Sequence, residues 1–194
     1  MNETRTGMAS SIKPWTIYVQ SRSNTTIRQK LFDDIWRVYH KRLLFFIRNI
    51  VQNEAEDLLQ EIMLKIYQNL EKYNPFYSFN TWIYAITRNH CINFLNKRKL
   101  ATRSLDIIGE NMPSGIGNIT PEKQLIDKEI SVQIEGILSG FESEFREIAY
   151  LRFYEGLTCQ NIAKIMNLPN GTVKSRLHTM RLKIKKTLEK YNEA

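Results

Sequence analysis

Apolar residues recur at three- and four-residue spacing through most of this chain, the period of an amphipathic helix. From Ile27, the set Leu31, Ile35, Val38, Tyr39, Leu43, Phe46, Ile47 and Ile50 predicts one long helix. Ala55, Leu58, Leu59, Ile62, Met63, Ile66, Tyr67 and Leu70 predict a second over residues 55–70. A third is expected from near Thr81 to a point among Asn96 to Lys99. Between Ala101 and Pro121 the period vanishes, and Gly109, Pro113, Ser114, Gly115, Gly117 and Pro121 mark a linker. Beyond it, helices are expected near 122–138 and 143–154. No segment alternates convincingly as a strand would. The fold class is therefore all-α: two small helical domains, 27–100 and 122–194, joined by a flexible linker at 101–121. Residues 1–26, rich in Ser, Thr and Asn, read as a loose extension in which Trp15, Ile17, Tyr18 and Val19 are able to dock.

The most specific pattern runs from Glu155 to Arg181 and predicts a helix-turn-helix. Ile162, Ala163 and Ile165 give a first short helix an apolar side, and Ala163 is small where two helices cross closely. Asn167 sits where the turn needs a left-handed backbone, which Gly, Asn and Asp adopt at least cost. Pro169 stops the first helix, and Asn170 is placed to cap the second. There Val173 and Leu177 face inward. Thr172, Lys174, Ser175, Arg176, His178, Thr179 and Arg181 remain for DNA, with donors suited to phosphates and base edges. Taken alone, an ordinary αα-hairpin with a basic, solvated face fits the same pattern.

Charge sharpens this picture. The 194 residues carry a formal net charge of +8, which favours an acidic partner, nucleic acid first. Residues 170–194 hold seven Lys/Arg against two Glu, and residues 88–103 hold five Lys/Arg and no acid. Residues 53–61 instead hold Glu54, Glu56, Asp57 and Glu61 with no base. Two basic surfaces and one acidic one suggest two nucleic-acid contacts and a separate protein contact. Cys91 and Cys159 are isolated, so a metal or disulfide framework is not expected, and free thiols in a reducing cytoplasm are. No apolar run approaches the roughly eighteen residues needed to span a membrane, and the chain start lacks a secretory pattern. The expectation is a cytoplasmic protein without membrane insertion, cofactor or metal.

Two further constellations bear on function. Asp57, Gln60 and Glu61 share one exposed face of the second helix. A metal or acid–base pair, a solvated acidic face and a docking surface for a basic partner all compete there. The stretch from Tyr73 to Tyr84 packs Tyr73, Phe76, Tyr77, Phe79, Trp82 and Tyr84 together, with Arg88, Lys97, Arg98 and Lys99 following. Aromatic rings beside cations suit unstacked bases, and a flipped base fits an irregular loop at 74–80. Phe79 and Trp82 fall in line with Ile83 and Ile86 and are expected in the core. Tyr77, Asn80, Tyr84, Asn89 and Asn93 are the candidates for an exposed reading surface, with Arg88, Lys97 and Arg98 as its cations.

Three segments in order, AEDLLQEIMLKIY (55–67), FNTWIYAITRNHCINFLNKRK (79–99) and REIAYLRFYEGLTCQNIAKIMNLPNGTVKSRLH (146–178), resemble the bacterial sigma-70 family. More narrowly, they resemble the two-domain extracytoplasmic-function (ECF) sigma factors. The likeness covers residues 27–99 and 122–191. It implies that Asp57, Gln60 and Glu61 bind the clamp helices of the RNA polymerase β′ subunit. It implies that 74–99 reads and opens the −10 promoter element, and that the helix-turn-helix reads the −35 element and meets the β flap. The linker would thread toward the RNA exit channel, and an anti-sigma factor is an expected partner. The chain departs from the family at Thr179, where Arg is common, at Asn167, where Gly is usual, and at Asn93, where Asp is frequent. The resemblance implies a transcription initiation factor and not an enzyme. A polymerase-independent DNA-binding regulator leaves the acidic helix and aromatic loop unexplained. A nuclease or recombinase would want a carboxylate cluster, or a nucleophile beside paired Arg residues, and neither stands out.

Overall fold

The computed structural model describes residues 13–51, 53–103 and 140–192. In chain order these form α1 (Pro14–Ser21), α2 (Thr25–Arg48), α3 (Ala55–Asn69), a 3-10 turn (Leu70–Lys72) and α4 (Phe79–Arg103). Then follow α5 (Ser143–Ala149), a π-helical turn (Tyr150–Tyr154), α6 (Cys159–Met166) and α7 (Asn170–Asn192). No strand occurs among the described residues. Most of the expected linker and the helix expected at 122–138 lie outside them.

The first three-helix unit forms as its periodicity predicts. Leu31, Ile35, Tyr39, Leu43, Phe46 and Ile47 of α2 are buried against Leu58, Leu59, Ile62, Met63 and Ile66 of α3. Burying each large aliphatic side chain stabilises by about 1.5–3 kcal/mol, so this shared face dominates the local energetics. The Ile27 N–H donates to the Asn24 side chain at 3.0 Å, capping α2 two residues before the predicted start. α4 likewise starts earlier than predicted, at Phe79, and continues to Arg103.

Upstream of α2, the segment without a clear period forms α1, whose Ile17 is fully buried. Arg22 donates to the Tyr18 carbonyl at 3.0 Å and also to the Glu71 carbonyl. Arg28 donates to the Tyr67 carbonyl at 3.1 Å and pairs with the Glu71 carboxylate. These bonds pin α1 and the start of α2 to the turn after α3.

In the C-terminal part, the helix predicted over 143–154 changes character at Tyr150. The Glu155 N–H donates to the Tyr150 carbonyl five residues back, at 3.2 Å, widening the last turn. Tyr150 and Leu151 are both buried there, while Phe153 and Tyr154 are exposed. α6 is capped by Thr158, whose hydroxyl oxygen accepts from the Asn161 N–H at 3.2 Å. Asn167 has φ 53° and ψ 48°, the left-handed geometry expected of it. The expected cap at Asn170 does not form: α7 already includes Asn170, and its Oδ1 is buried without a hydrogen-bond partner.

The two units meet. One buried apolar cluster runs from Ile17 through α2, α3 and α4 to Tyr150, Leu157, Ile162, Val173 and Leu177. The Tyr150 ring lies 5.6 Å from Phe46 and 6.2 Å from Tyr84, and its hydroxyl donates to the Arg42 carbonyl at 3.0 Å. Arg42 grips the Glu155 carboxylate through two nitrogens, one at 3.0 Å. A smaller cluster of Phe141, Ala149 and Met180, with Phe145, closes α5 onto α7.

Candidate nucleic-acid interface

The second helix of the helix-turn-helix presents most of the surface its sequence predicts, with Arg176 the exception. Val173, Leu177 and Met180 are buried, so α7 is held by one apolar stripe that Met180 continues one turn beyond the predicted pair. Lys174, Ser175, His178, Thr179 and Arg181 are exposed, and Thr172 and Arg176 are half-buried. Ser175 donates to the Thr172 carbonyl at 3.0 Å and Thr179 to the Ser175 carbonyl at 3.1 Å. Their hydroxyl protons are thus spent on the helix, leaving oxygen lone pairs toward solvent. Arg176 is not a free cation. It pairs with Glu144, and its guanidinium lies 5.3 Å from the Phe145 ring centroid. Nothing in the spacing of the helix-turn-helix signals Glu144, because it arrives from α5.

The aromatic loop between α3 and α4 is ordered by its own hydrogen bonds. The Tyr73 hydroxyl donates to the Tyr77 carbonyl at 2.6 Å, the Phe76 N–H to the Asn74 side chain at 3.0 Å, and the Tyr77 N–H to the Asn74 carbonyl at 3.1 Å. Phe76 and Tyr77 are thereby held outward and exposed. The Lys164 ammonium of α6 lies 5.3 Å from the Tyr77 ring centroid. As expected, Phe79 is buried and stacks on the half-buried Trp82 at 5.4 Å. Asn80 is half-buried and accepts from the Tyr39 hydroxyl.

Along α4, Asn89, Asn93 and Lys97 occupy one exposed stripe at four-residue spacing, and Arg98 is exposed while bonded to Glu54 at 2.9 Å. Tyr84 and Arg88 differ from the expectation. Tyr84 is fully buried beside Phe46 and Tyr150, and burial pushes its hydroxyl well above the usual tyrosine range. Arg88 is 8% exposed; its Nε donates to Glu147, itself 1% exposed, at 2.7 Å, and its Nη1 to the Met166 carbonyl at 3.3 Å. Burial raises the Glu147 carboxyl above the ordinary glutamate value, with the Arg88 charge opposing that shift. Both residues lie on the α4 side covered by the C-terminal unit. A sequence period identifies that a helix has a buried side, but not that a segment some sixty residues later will cover a second one.

Cys91, one turn past Arg88, is also buried, and its thiol is pushed up to about 12 by burial and then by the Glu147 charge. Cys159 is half-buried. Among the described residues no three His, Cys, Asp or Glu side chains converge to hold a metal ion, and no helix is long and apolar enough to cross a membrane.

On α3, Asp57, Gln60 and Glu61 are exposed together, as their spacing predicts. Glu61 pairs with His90 of α4 at 2.8 Å. The exposed Leu64 follows on the same face, an apolar residue in an otherwise polar stripe.

Residues 35–100 match sigma-70 region 2 and residues 137–186 match sigma-70 region 4. The chain belongs to the sigma-70 family of RNA polymerase sigma factors, in its extracytoplasmic-function group. It is 30% identical over 153 residues to the ECF RNA polymerase sigma-E factor of Escherichia coli, covering 75% of this chain and 79% of that one. To the ECF RNA polymerase sigma factor SigW of Bacillus subtilis it is 28% identical over 171 residues, covering 82% and 90%. Its fold is that of the sigma factor RpoE solved with the anti-sigma factor NepR from Bartonella quintana (TM-score 0.63, 21% identity, 82% of this chain and 98% of that one). It is also that of CnrH solved with the cytosolic domain of CnrY (TM-score 0.59, 14% identity, 91% and 97%). The protein is accordingly an ECF sigma factor: it works with core RNA polymerase, and its region 2 and region 4 domains recognise the −10 and −35 promoter elements.

Proposed function

We propose that three separate surfaces divide the work of initiation. The acidic face of α3, Asp57, Gln60 and Glu61, docks on the clamp helices of the polymerase β′ subunit. The exposed face of α7, led by Lys174, His178 and Arg181 with Thr172, Ser175 and Thr179 beside them, enters the −35 major groove, while its domain also meets the β flap. Arg176 completes that face from its seat on Glu144 and Phe145. The ordered loop with Tyr77 and Asn80, and the α4 stripe of Asn89, Asn93, Lys97 and Arg98, capture unstacked non-template bases at −10, so that binding energy drives strand opening. Here Tyr84 and Arg88 hold the two domains together instead of reading bases. No chemical step is assigned to the chain.

The observation carrying this division is the distribution of exposed charge by element: Asp57 and Glu61 lie exposed on α3, whereas the exposed residues assigned to DNA on α4 and α7 include no acid. Phosphate contacts supply salt-dependent affinity and a few donors supply selection. Two of the solved neighbours are held in complexes, CnrH with the cytosolic domain of CnrY and RpoE with the anti-sigma factor NepR, which supports an anti-sigma factor as a regulator of this chain too.

The division is tested by comparing Asp57→Ala/Glu61→Ala with Lys174→Ala/Arg181→Ala in core-polymerase pull-down and in reconstituted transcription from a promoter library. The first pair should lose polymerase binding by about tenfold or more and keep duplex-DNA affinity. The second should do the reverse. Equal loss of DNA binding by both pairs sinks the division.

A further inference from the structure

Among the described residues, one exposed aromatic cluster lies outside the residues assigned above. Trp15 of α1 is 55% exposed and Phe76 of the loop 82% exposed, yet both are held in place. α1 is anchored by buried Ile17 and by the Arg22 bond to the Glu71 carbonyl. The backbone bonds to Asn74 anchor Phe76. The two rings touch edge to face, 5.6 Å between centroids at 81°, and Tyr18 meets Trp15 the same way at 5.7 Å and 71°. With these neighbours in place Trp15 still keeps 55% of its surface, and Phe76 82%, open to solvent.

Charge narrows the choice of what covers that face. Neither residues 13–23 nor residues 72–90 contain an Asp or Glu. The exposed Lys13 lies two residues from Trp15, Arg22 packs over the Tyr18 ring at 3.9 Å, and Lys164 stands over Tyr77. The carboxylate of Glu71 is taken by Arg28. Rigid, exposed aromatic rings flanked by cations, with the Glu71 carboxylate already paired, are what a single-stranded nucleic acid recognises: bases stack on the rings while cations track the phosphates.

We infer that Trp15 and Phe76 form a stacking platform for an unpaired DNA base, extending the strand-capture surface of region 2 onto the N-terminal helix. The inference rests on loop 74–80 being a strand-capture loop. It adds that α1 is part of the promoter-opening apparatus, so a nucleotide next to the −10 bases is held by a residue outside the region 2 match.

Binding of the full chain to a fluorescent oligo(dT) strand, followed by anisotropy at low salt, tests this. Trp15→Ala should weaken binding about fivefold to tenfold, Trp15→Phe should stay within about twofold of the parent, and duplex affinity should not move. Photocrosslinking with 5-bromodeoxyuridine in the strand should map to Trp15 or Phe76. Circular dichroism identifies a variant that loses helix, in which case Trp15→Phe and the crosslink decide. If Phe76→Ala weakens binding and Trp15→Ala does not, the platform is overturned while the loop keeps its role. If both leave binding unchanged, strand capture by the loop falls as well. Loss of core-polymerase binding in Trp15→Ala with strand affinity intact would make this a protein-docking surface and overturn the inference.

Discussion

Asn167 is the only described residue other than glycine with a positive φ, 53°. A β-carbon there crowds the following carbonyl, a cost of roughly 1–2 kcal/mol that Asn partly offsets through local hydrogen bonding. Asn167→Ala should therefore destabilise by about 1 kcal/mol, and Asn167→Gly should be neutral or slightly stabilising, in urea unfolding followed by circular dichroism. A larger loss in the Gly variant than in the Ala variant would contradict the left-handed turn. Such a position is legible in sequence because the backbone makes a demand few residues meet. Arg88 is the opposite case. Its charge invited assignment to DNA, yet its partner Glu147 lies 59 positions away, and nothing local to α4 announces it.

At the scale of elements, the amphipathic period located α2, α3 and α4 well, because each buries one stripe against its neighbours. It missed α1, whose anchoring depends on a single fully buried isoleucine and on arginine bonds to distant carbonyls. It missed the π-helical turn at Tyr150, where the inserted residue serves packing against Phe46 and Tyr84 and not helix continuity. The recognition helix was legible because its inner and outer faces separate cleanly. Its cations should act through phosphates as much as bases. Each Lys or Arg removed that had contacted a phosphate lowers the slope of log affinity against log salt by about 0.9. Lys174→Ala/Arg181→Ala should thus flatten the slope by nearly 2 on promoter duplex, measured by anisotropy from low to moderate salt. An unchanged slope would place both side chains away from the backbone.

At the scale of the molecule, two sigma domains share one buried cluster across a seam of aromatic rings and two ion pairs. The Arg42–Glu155 pair is the more accessible, with Arg42 about a quarter exposed at its side chain. Replacing Glu155 by Gln keeps its shape and removes its charge, so the seam should loosen without loss of the helical cores. Small-angle scattering should then report a larger radius for Glu155→Gln at unchanged helix content. An unchanged radius would mean the ion pair is incidental to closure.

Cys91 turns that seam into a chemical gauge of opening. A thiol raised to about 12 is almost wholly protonated at pH 8, and this one is buried as well. It can meet an alkylating reagent only while the region around it is open. Its modification rate is then the rate of a free thiol multiplied by the fraction of time spent open. Iodoacetamide labelling resolved by mass spectrometry should find Cys159 modified first and Cys91 much later. Glu155→Gln should speed Cys91 while leaving Cys159 unchanged, and a factor common to both thiols would point to global unfolding instead. The same reading taken with polymerase or single-stranded DNA bound would report what fraction of the time the two promoter-reading halves spend apart.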